Sequence, residues 1–269
     1  MTLITGSDPS PIDAQLDNFF SRHVIRPLRW PFIKTALRKA MAVDGAAARL
    51  KGLEGRSGFD AVDTFVSAMA VPVHYENTGD IPRNGALLVV ANHPVGAADV
   101  FFMLQCLHHA RDDVRVVINK IGPVLVPQIA ELCLPVDRYS SFTEEARARI
   151  EATLRSGLAV ILFPAGGISK PTWRGIRDHR WKHGAVHFSR ATNADVLPVH
   201  ISGRSSLLFL ALPRKLRHFL VAREMMHPVK QSIRVRVGEV IPAEAVAAGD
   251  VAEATARLER AVYALAKNG

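Results

Sequence analysis

His93 and Asp99 are the residues from which chemistry is most readily built. In "LLVVANHPVGAADVFF" (87–102) an apolar run ends in Asn92-His93-Pro94, crosses Gly96 and reaches Asp99 before apolar residues resume. Pro94 biases His93 away from the helical region, and Gly96 can turn the chain sharply. Asp99 then falls in the first turn of the next helix, where the dipole favours a carboxylate. In one continuous helix the two side chains would lie on different faces, so the loop is what lets them meet. An imidazole bonded to a carboxylate is oriented and made more basic, as a general base for a hydroxyl or amine must be. A strand-end histidine that merely caps a helix fits the same pattern, and both readings stay open at this level.

The elements that must position this pair follow from hydrophobic patterning. Strands are expected over 71–77, in "NGALLVVANHP", in "VRVVINK", over 134–138, in "GLAVILFP", in "ADVLPVHIS" and in "SIRVRVGEVI". Helices are expected over 100–110, 123–132, 143–156, 181–192 and 243–267. "KGLEGRSGFD" reads as a glycine-rich loop. Apolar strands alternating with helices predict an α/β fold: a mostly parallel central sheet flanked by helices, with an N-terminal helical segment. Ligand sites in such sheets lie beyond the carboxyl ends of the strands. Here four strands end in polar or glycine-rich clusters, "ANHPVGAAD", "INK", "FPAGGISK" and "PVHISGRSS", which together predict one shared crevice.

Composition narrows the function classes. The 269-residue chain is 48% hydrophobic, carries a net charge of +9, and contains two cysteines, Cys106 and Cys133. The cysteines form no ligand cluster and read as buried free thiols in a reducing compartment. The basic surface suits polyanions, acidic carrier proteins or anionic lipid. Nucleic-acid binding would rest on charge alone, since no reader motif is present. A hydrolase is disfavoured because no G-x-S-x-G elbow occurs. A metal enzyme is disfavoured because neither a His-Glu-x-x-His helix nor a cysteine cluster is found, so no metal site is expected. No apolar run reaches the ~18 residues a membrane span needs, and residues 1–11 do not read as a signal peptide.

Two segments combine basic residues with bulky apolar ones. Residues 12–53 carry Phe19, Phe20, Trp30 and Phe32 among six Arg and Lys residues from Arg22 to Lys39, with Pro27 and Pro31 breaking the helix. "LLFLALPRKLRHFL" (207–220) includes Phe209 beside Arg214, Lys215 and Arg217. Interfacial helices use this mixture, and so do amphipathic helices that pack on a core. The membrane reading makes Phe19, Phe20, Trp30 and Phe209 lipid contacts.

The four strand-end blocks resemble the glycerolipid acyltransferase superfamily, typified by bacterial 1-acylglycerol-3-phosphate acyltransferases. Asn92, His93 and Asp99 match its first motif, and Asn119 and Lys120 its second. Phe163, Pro164 and Gly166 match part of the Phe-Pro-Glu-Gly block. Pro198, Gly203, Arg204 and Ser206 match the fourth. The family usually places four residues between His and Asp, whereas this chain has five, Pro94 to Ala98. That spacing resembles a hemolysin-like subgroup that includes lyso-ornithine lipid acyltransferases. Ala165 and Ile168 stand where the phosphate-binding enzymes have Glu and Arg. Either Lys170, Arg174, Arg177 or Lys120 replaces that Arg, or the acceptor is not a phosphomonoester.

The resemblance implies residues 1–58 as a membrane-proximal helical segment and 59–269 as the acyltransferase α/β domain. It implies acyl transfer from an acyl carrier protein or coenzyme A thioester to the hydroxyl of a lysolipid, either lyso-ornithine lipid or lysophosphatidic acid. No further cofactor is implied. His93 would act as base and Asp99 would hold its tautomer. The Gly166-Gly167 turn would offer oxyanion donors, although a plain tight turn fits too. Asn92, Lys120, Ser169 and Arg204 complete the substrate-binding set, with surface charge the competing reading of Lys120 and Arg204. The expected location is the cytoplasmic face of the inner membrane, peripherally attached. A non-catalytic lipid-binding or membrane-remodelling protein is the alternative.

Overall fold

Leu87–Ala91 is buried at every position, as a strand must be when both faces of its sheet are covered. The computed structural model describes residues 51–120, 122–137, 142–173, 175–205 and 231–267. Its strands are β1 (Val73–Glu76), β2 (Leu87–Ala91), β3 (Val114–Asn119), β4 (Cys133–Val136), β5 (Ala159–Leu162), β6 (Lys170–Thr172), β7 (Gly175–Arg177), β8 (Asp195–Ile201) and β9 (Ile233–Val237). Its helices are α1 (Gly58–Ala68), α2 (Ala97–His108), α3 (Gly122–Leu125), α4 (Glu144–Arg155), α5 (Gly184–Thr192), α6 (Ala243–Ala247) and α7 (Val251–Ala264).

Seven strands form the central sheet in the order β1-β9-β8-β2-β5-β3-β4. From β8 through β4 every pairing is parallel. β9 runs antiparallel to β8, and β1 runs parallel to β9. The expected mostly parallel α/β sheet is therefore present. Period-two alternation along β2 divides the interior into two cores. Val89 and Ala91 join α1 and α2 on one face, where Phe65 stacks on Phe101 at 3.8 Å. Leu88 and Val90 meet Ile150 of α4, Phe188 of α5 and Leu258 of α7 on the other. Both cysteines are free and buried, and burial pushes their thiols up to about 12 for Cys106 and about 11 for Cys133.

Several element boundaries differ from expectation. α1 begins inside the expected loop, at Gly58. Pro127 divides the stretch expected as one helix into α3 and a 3-10 segment, Pro127–Leu132. The helix expected over 243–267 is two: Gly249, at φ +76°, turns the chain, and Asp250 starts α7 by accepting a bond from the Glu253 N–H at 2.8 Å. β6 and β7 form an antiparallel hairpin where no strand was expected. Phe19, Phe20, Trp30 and Phe209 lie outside the described residues, as does nearly all of the N-terminal segment. Among the described residues, no helix is long and apolar enough to cross a membrane.

Candidate active site

β2 ends at Ala91, and Asn92 extends it by side chain instead of backbone. Its amide donates to the Ile201 carbonyl at 2.8 Å and accepts from the Ile201 N–H at 2.7 Å. Both halves of the Asn92 amide are thus engaged, tying the end of β2 to the end of β8. These two bonds form a structural lock that fixes where the following residue, His93, leaves the sheet.

Gly96 caps α2 with φ +103° and ψ −140°, a conformation that side-chain-bearing residues avoid. A Cβ there would also lie 3.2 Å from Ile168 Cδ1. This turn brings Asp99 back beneath His93, absorbing the extra residue between them. His93 Nδ1 lies 2.9 Å from Asp99 Oδ2. The same oxygen accepts the Val95 and Gly96 N–H groups, each at 2.9 Å. Asp99 is wholly buried, and its Oδ1 receives no donor among the described residues. Burial raises the Asp99 pKa above the ordinary value, while the bonds from His93, Gly96 and Val95 pull it down.

These contacts assign the imidazole tautomer by its hydrogen bond. Oδ2 takes two backbone donors, so it is an acceptor whether or not Oδ1 carries a proton. Nδ1 therefore carries the hydrogen, and the neutral ring keeps its lone pair on Nε2. The ring stacks on Phe163, which follows β5, with centroids 4.4 Å apart. Its side chain is 17% exposed, so it is held on most sides yet reachable.

Two further loops clamp the His93 segment. The Ser169 N–H donates to the His93 carbonyl at 2.8 Å. The Ser205 N–H donates to the Pro94 carbonyl at 3.0 Å, and its hydroxyl donates to the Pro94 and Val95 carbonyls. A second, half-buried carboxylate, Asp178, joins the first clamp. It accepts the His93 N–H at 3.2 Å, the Ser169 hydroxyl, and the Trp181 indole N–H at 2.9 Å. Burial raises its pKa as well. Its own N–H donates to the Tyr263 hydroxyl at 2.7 Å, which anchors the β6-β7 hairpin to α7.

The structure thus brings Asn92, His93, Asp99 and Ser169 together, with Ser205 beside them. Ser169 is spent on this scaffold through both its N–H and its hydroxyl. In the glycine turn, the Gly166 N–H is engaged by the Phe163 carbonyl at 3.0 Å. Gly167 donates no backbone bond among the described residues, so the pair of expected oxyanion donors narrows to Gly167. Lys120 stands at the end of β3, beyond β5 from β2, exposed and paired with Asp137 at 2.7 Å. Arg204 is exposed next to the anchored Ser205. Asp178, Trp181 and Ser205 are site-building residues not singled out by sequence reasoning, whereas Phe163, matched to the third motif, proves to be the ring on which His93 stacks.

This architecture has counterparts. The 1-acyl-sn-glycerophosphate (LPA) acyltransferase PlsC from Thermotoga maritima superposes with a TM-score of 0.51 at 16% identity, over 94% of this chain and 95% of that one. The likeness concerns the fold. Curated relatives include the lyso-glycine lipid O-acyltransferase of Phocaeicola vulgatus, 27% identical over 78% of this chain and 79% of that protein. Its namesake from Bacteroides thetaiotaomicron is 26% identical over 78% and 81% respectively. The acyltransferase family model matches residues 60–268, which contain every described site residue. The chain belongs to the acyltransferase family and is an acyltransferase enzyme.

Proposed function

We propose that the enzyme moves a fatty acyl chain from a thioester, on acyl carrier protein or coenzyme A, to the hydroxyl of a lysolipid. The observation that carries this reading is the His93–Asp99 pair, whose hydrogen bonding leaves Nε2 as a free base at the sheet's carboxyl edge. His93 Nε2 takes the hydroxyl proton as the oxygen attacks the thioester carbonyl. Asp99 stabilises the resulting imidazolium. The oxyanion of the tetrahedral intermediate faces the Gly167 N–H. Collapse breaks the C–S bond, and the imidazolium returns its proton to the departing thiolate, giving a free thiol and an ester. The reaction calls on no metal or prosthetic group.

The acceptor we favour is a lysolipid built on an acylated amino acid. The two curated relatives are named for a lyso-glycine lipid. Ile168, which stands where the phosphate-binding enzymes carry Arg, packs against Gly96 and leaves that position apolar. Lyso-ornithine lipid falls within the same acceptor class, and lysophosphatidic acid is the rival. The lipid acceptor places the enzyme at a membrane surface, at the cytoplasmic face in this reading. Residues 1–58, with Phe19, Phe20 and Trp30, and the segment around Phe209 are the proposed contacts.

The test is purified protein with labelled acyl carrier protein and coenzyme A thioesters, a panel of lysolipids and detergent micelles. Transfer to a lyso-amino-acid lipid that His93→Ala abolishes supports the reading. Wild-type transfer rates in His93→Ala would refute the base role, and lipid binding with no transfer to any lysolipid would favour the non-catalytic alternative. Sedimentation with anionic vesicles at low salt, reversed at high salt, tests the membrane contact.

A further inference from the structure

We infer that a cleft beside the catalytic segment seats the carboxylate of the acceptor's headgroup, with Arg177 as its cationic partner; this rests on the acyl-amino-acid reading above. The cleft encloses about 260 Å³. Pro94, Ile176, Arg177, His200, Ser202 and Tyr263 line it. Pro94 directly follows His93, so the cleft adjoins the segment that carries the base.

Arg177 and Asp178 are neighbours at the end of the β6-β7 hairpin, and their side chains do different work. Asp178 turns inward and bonds His93, Ser169 and Trp181. The Arg177 guanidinium instead lies over the Tyr263 ring, its central carbon 4.0 Å from the centroid. A guanidinium held by its face keeps its N–H edges directed outward, the geometry that matches a planar carboxylate. The Tyr263 ring is itself fixed, because its hydroxyl accepts the Asp178 N–H at 2.7 Å. The cation is therefore anchored to the scaffold that holds the base.

The rest of the lining fits a small monoanion. Burial, with Arg236 and Arg177 nearby, pushes His200 down to about 4, so the ring is neutral and available for hydrogen bonding. Arg236 is already committed to Glu76 at 2.5 Å, leaving Arg177 as the cation that faces the cleft. Glu259, a half-buried neighbour of Arg177, has its pKa raised by burial and by Asp178, against the lowering effect of Arg177 and Arg260.

The experiment measures binding without a donor, so it is independent of catalysis. The full chain is titrated calorimetrically with N-octanoylglycine, its methyl ester and octyl phosphate, none of which has a hydroxyl to acylate. We expect the wild type to bind the acid at least tenfold more tightly than the ester, and more tightly than octyl phosphate. Arg177→Gln should reduce the acid-to-ester ratio to near one. Arg177→Lys, a second variant that retains the charge, should keep part of it. Equal binding of acid and ester by the wild type, or an unchanged ratio in Arg177→Gln, overturns the inference. Tighter, Arg177-dependent binding of octyl phosphate overturns the carboxylate assignment. Failure of the acyl-transfer reading would appear separately, as absence of transfer to every lysolipid in the activity panel.

Discussion

His93 Nδ1 meets Asp99 at an oxygen that two backbone N–H groups already hold as an acceptor. That relationship fixes the direction of the hydrogen bond, and with it the nitrogen left for the proposed base role. Asp99→Ala removes both the acceptor and the orientation of the ring. Its kcat should fall roughly 100- to 10,000-fold, within the range that positioned acid–base groups contribute. Steady-state rates with a saturating thioester check this, alongside circular dichroism to confirm the fold. A fall of less than tenfold in folded protein would refute the assigned role.

Burial raises the pKa values of Asp99 and Asp178 above the ordinary 3.8. The folded protein therefore holds these protons more tightly than the unfolded chain does. Stability from each group is present below the unfolded value and is lost as pH rises through the folded value. Asp99→Asn and Asp178→Asn remove one titration each and should flatten the change in Tm from about pH 4 to pH 7. Groups with lowered values, such as Asp113 and Glu76, act in the opposite sense but are common to all the proteins compared. Thermal melts across that range provide the check. Parallel curves for wild type and variants would show that neither carboxylate titrates with a raised pKa.

The His93–Asp99 meeting was legible because Pro94, Gly96 and a first-turn aspartate each constrain the backbone locally. The meeting of the His93, Ser169 and Ser205 loops was legible for a related reason: buried parallel strands end where their apolar runs end, although the loop after β3, with Lys120, stands apart from them. Asp178 was not. It sits in the charged run "GIRDHRW", and its place at the site depends on folding the hairpin back onto His93. Trp181 in the same stretch was the available signal, since a buried indole N–H needs an acceptor nearby. The reversed direction of β9 was also hidden, because alternation along a strand is the same read either way. The Asn92 bonds were hidden for a subtler reason: an amide at a strand end can bind a ligand or extend the ladder, and only the position of Ile201 shows that it does the latter here.

Gly96 is predicted to be irreplaceable even by alanine. Its backbone conformation costs a side-chain-bearing residue about 1–3 kcal/mol, and the added Cβ would press on Ile168 at 3.2 Å. Gly96→Ala should lower stability by about that amount and lower kcat as well, because the turn sets where Asp99 begins its helix. Ile168→Val added to Gly96→Ala distinguishes the two causes. If backbone strain dominates, the double variant stays as impaired as the single one. Full recovery of Tm and kcat would assign the effect to the side-chain clash instead.

Arg111 offers the opposite case, stability without chemistry. It lies at the far edge of the sheet, where α2 leads into β3. Its guanidinium bonds both Asp113 oxygens, at 2.6 and 2.7 Å, and the carbonyls of Pro82, Gly85 and Gly157. Five N–H donors thus meet five acceptors, stapling the loops that enter β2, β3 and β5. Arg111→Met keeps the stem's packing but strands three carbonyls and a carboxylate. Breaking such a buried pair costs about 3–5 kcal/mol, and the lower end is expected because Asp113 is 43% exposed. The pairing also holds the Asp113 carboxyl below its ordinary value. That stability is present above the unfolded value and is lost as pH falls through the folded one. Urea melts should show the loss at neutral pH and a smaller gap between wild type and variant in acid. The acyl-transfer rate per folded molecule should stay within about twofold, since ordinary surface and edge substitutions leave a remote site intact. A large fall in kcat at temperatures where the variant is folded would mean that this edge communicates with His93 in a way its hydrogen bonds do not reveal.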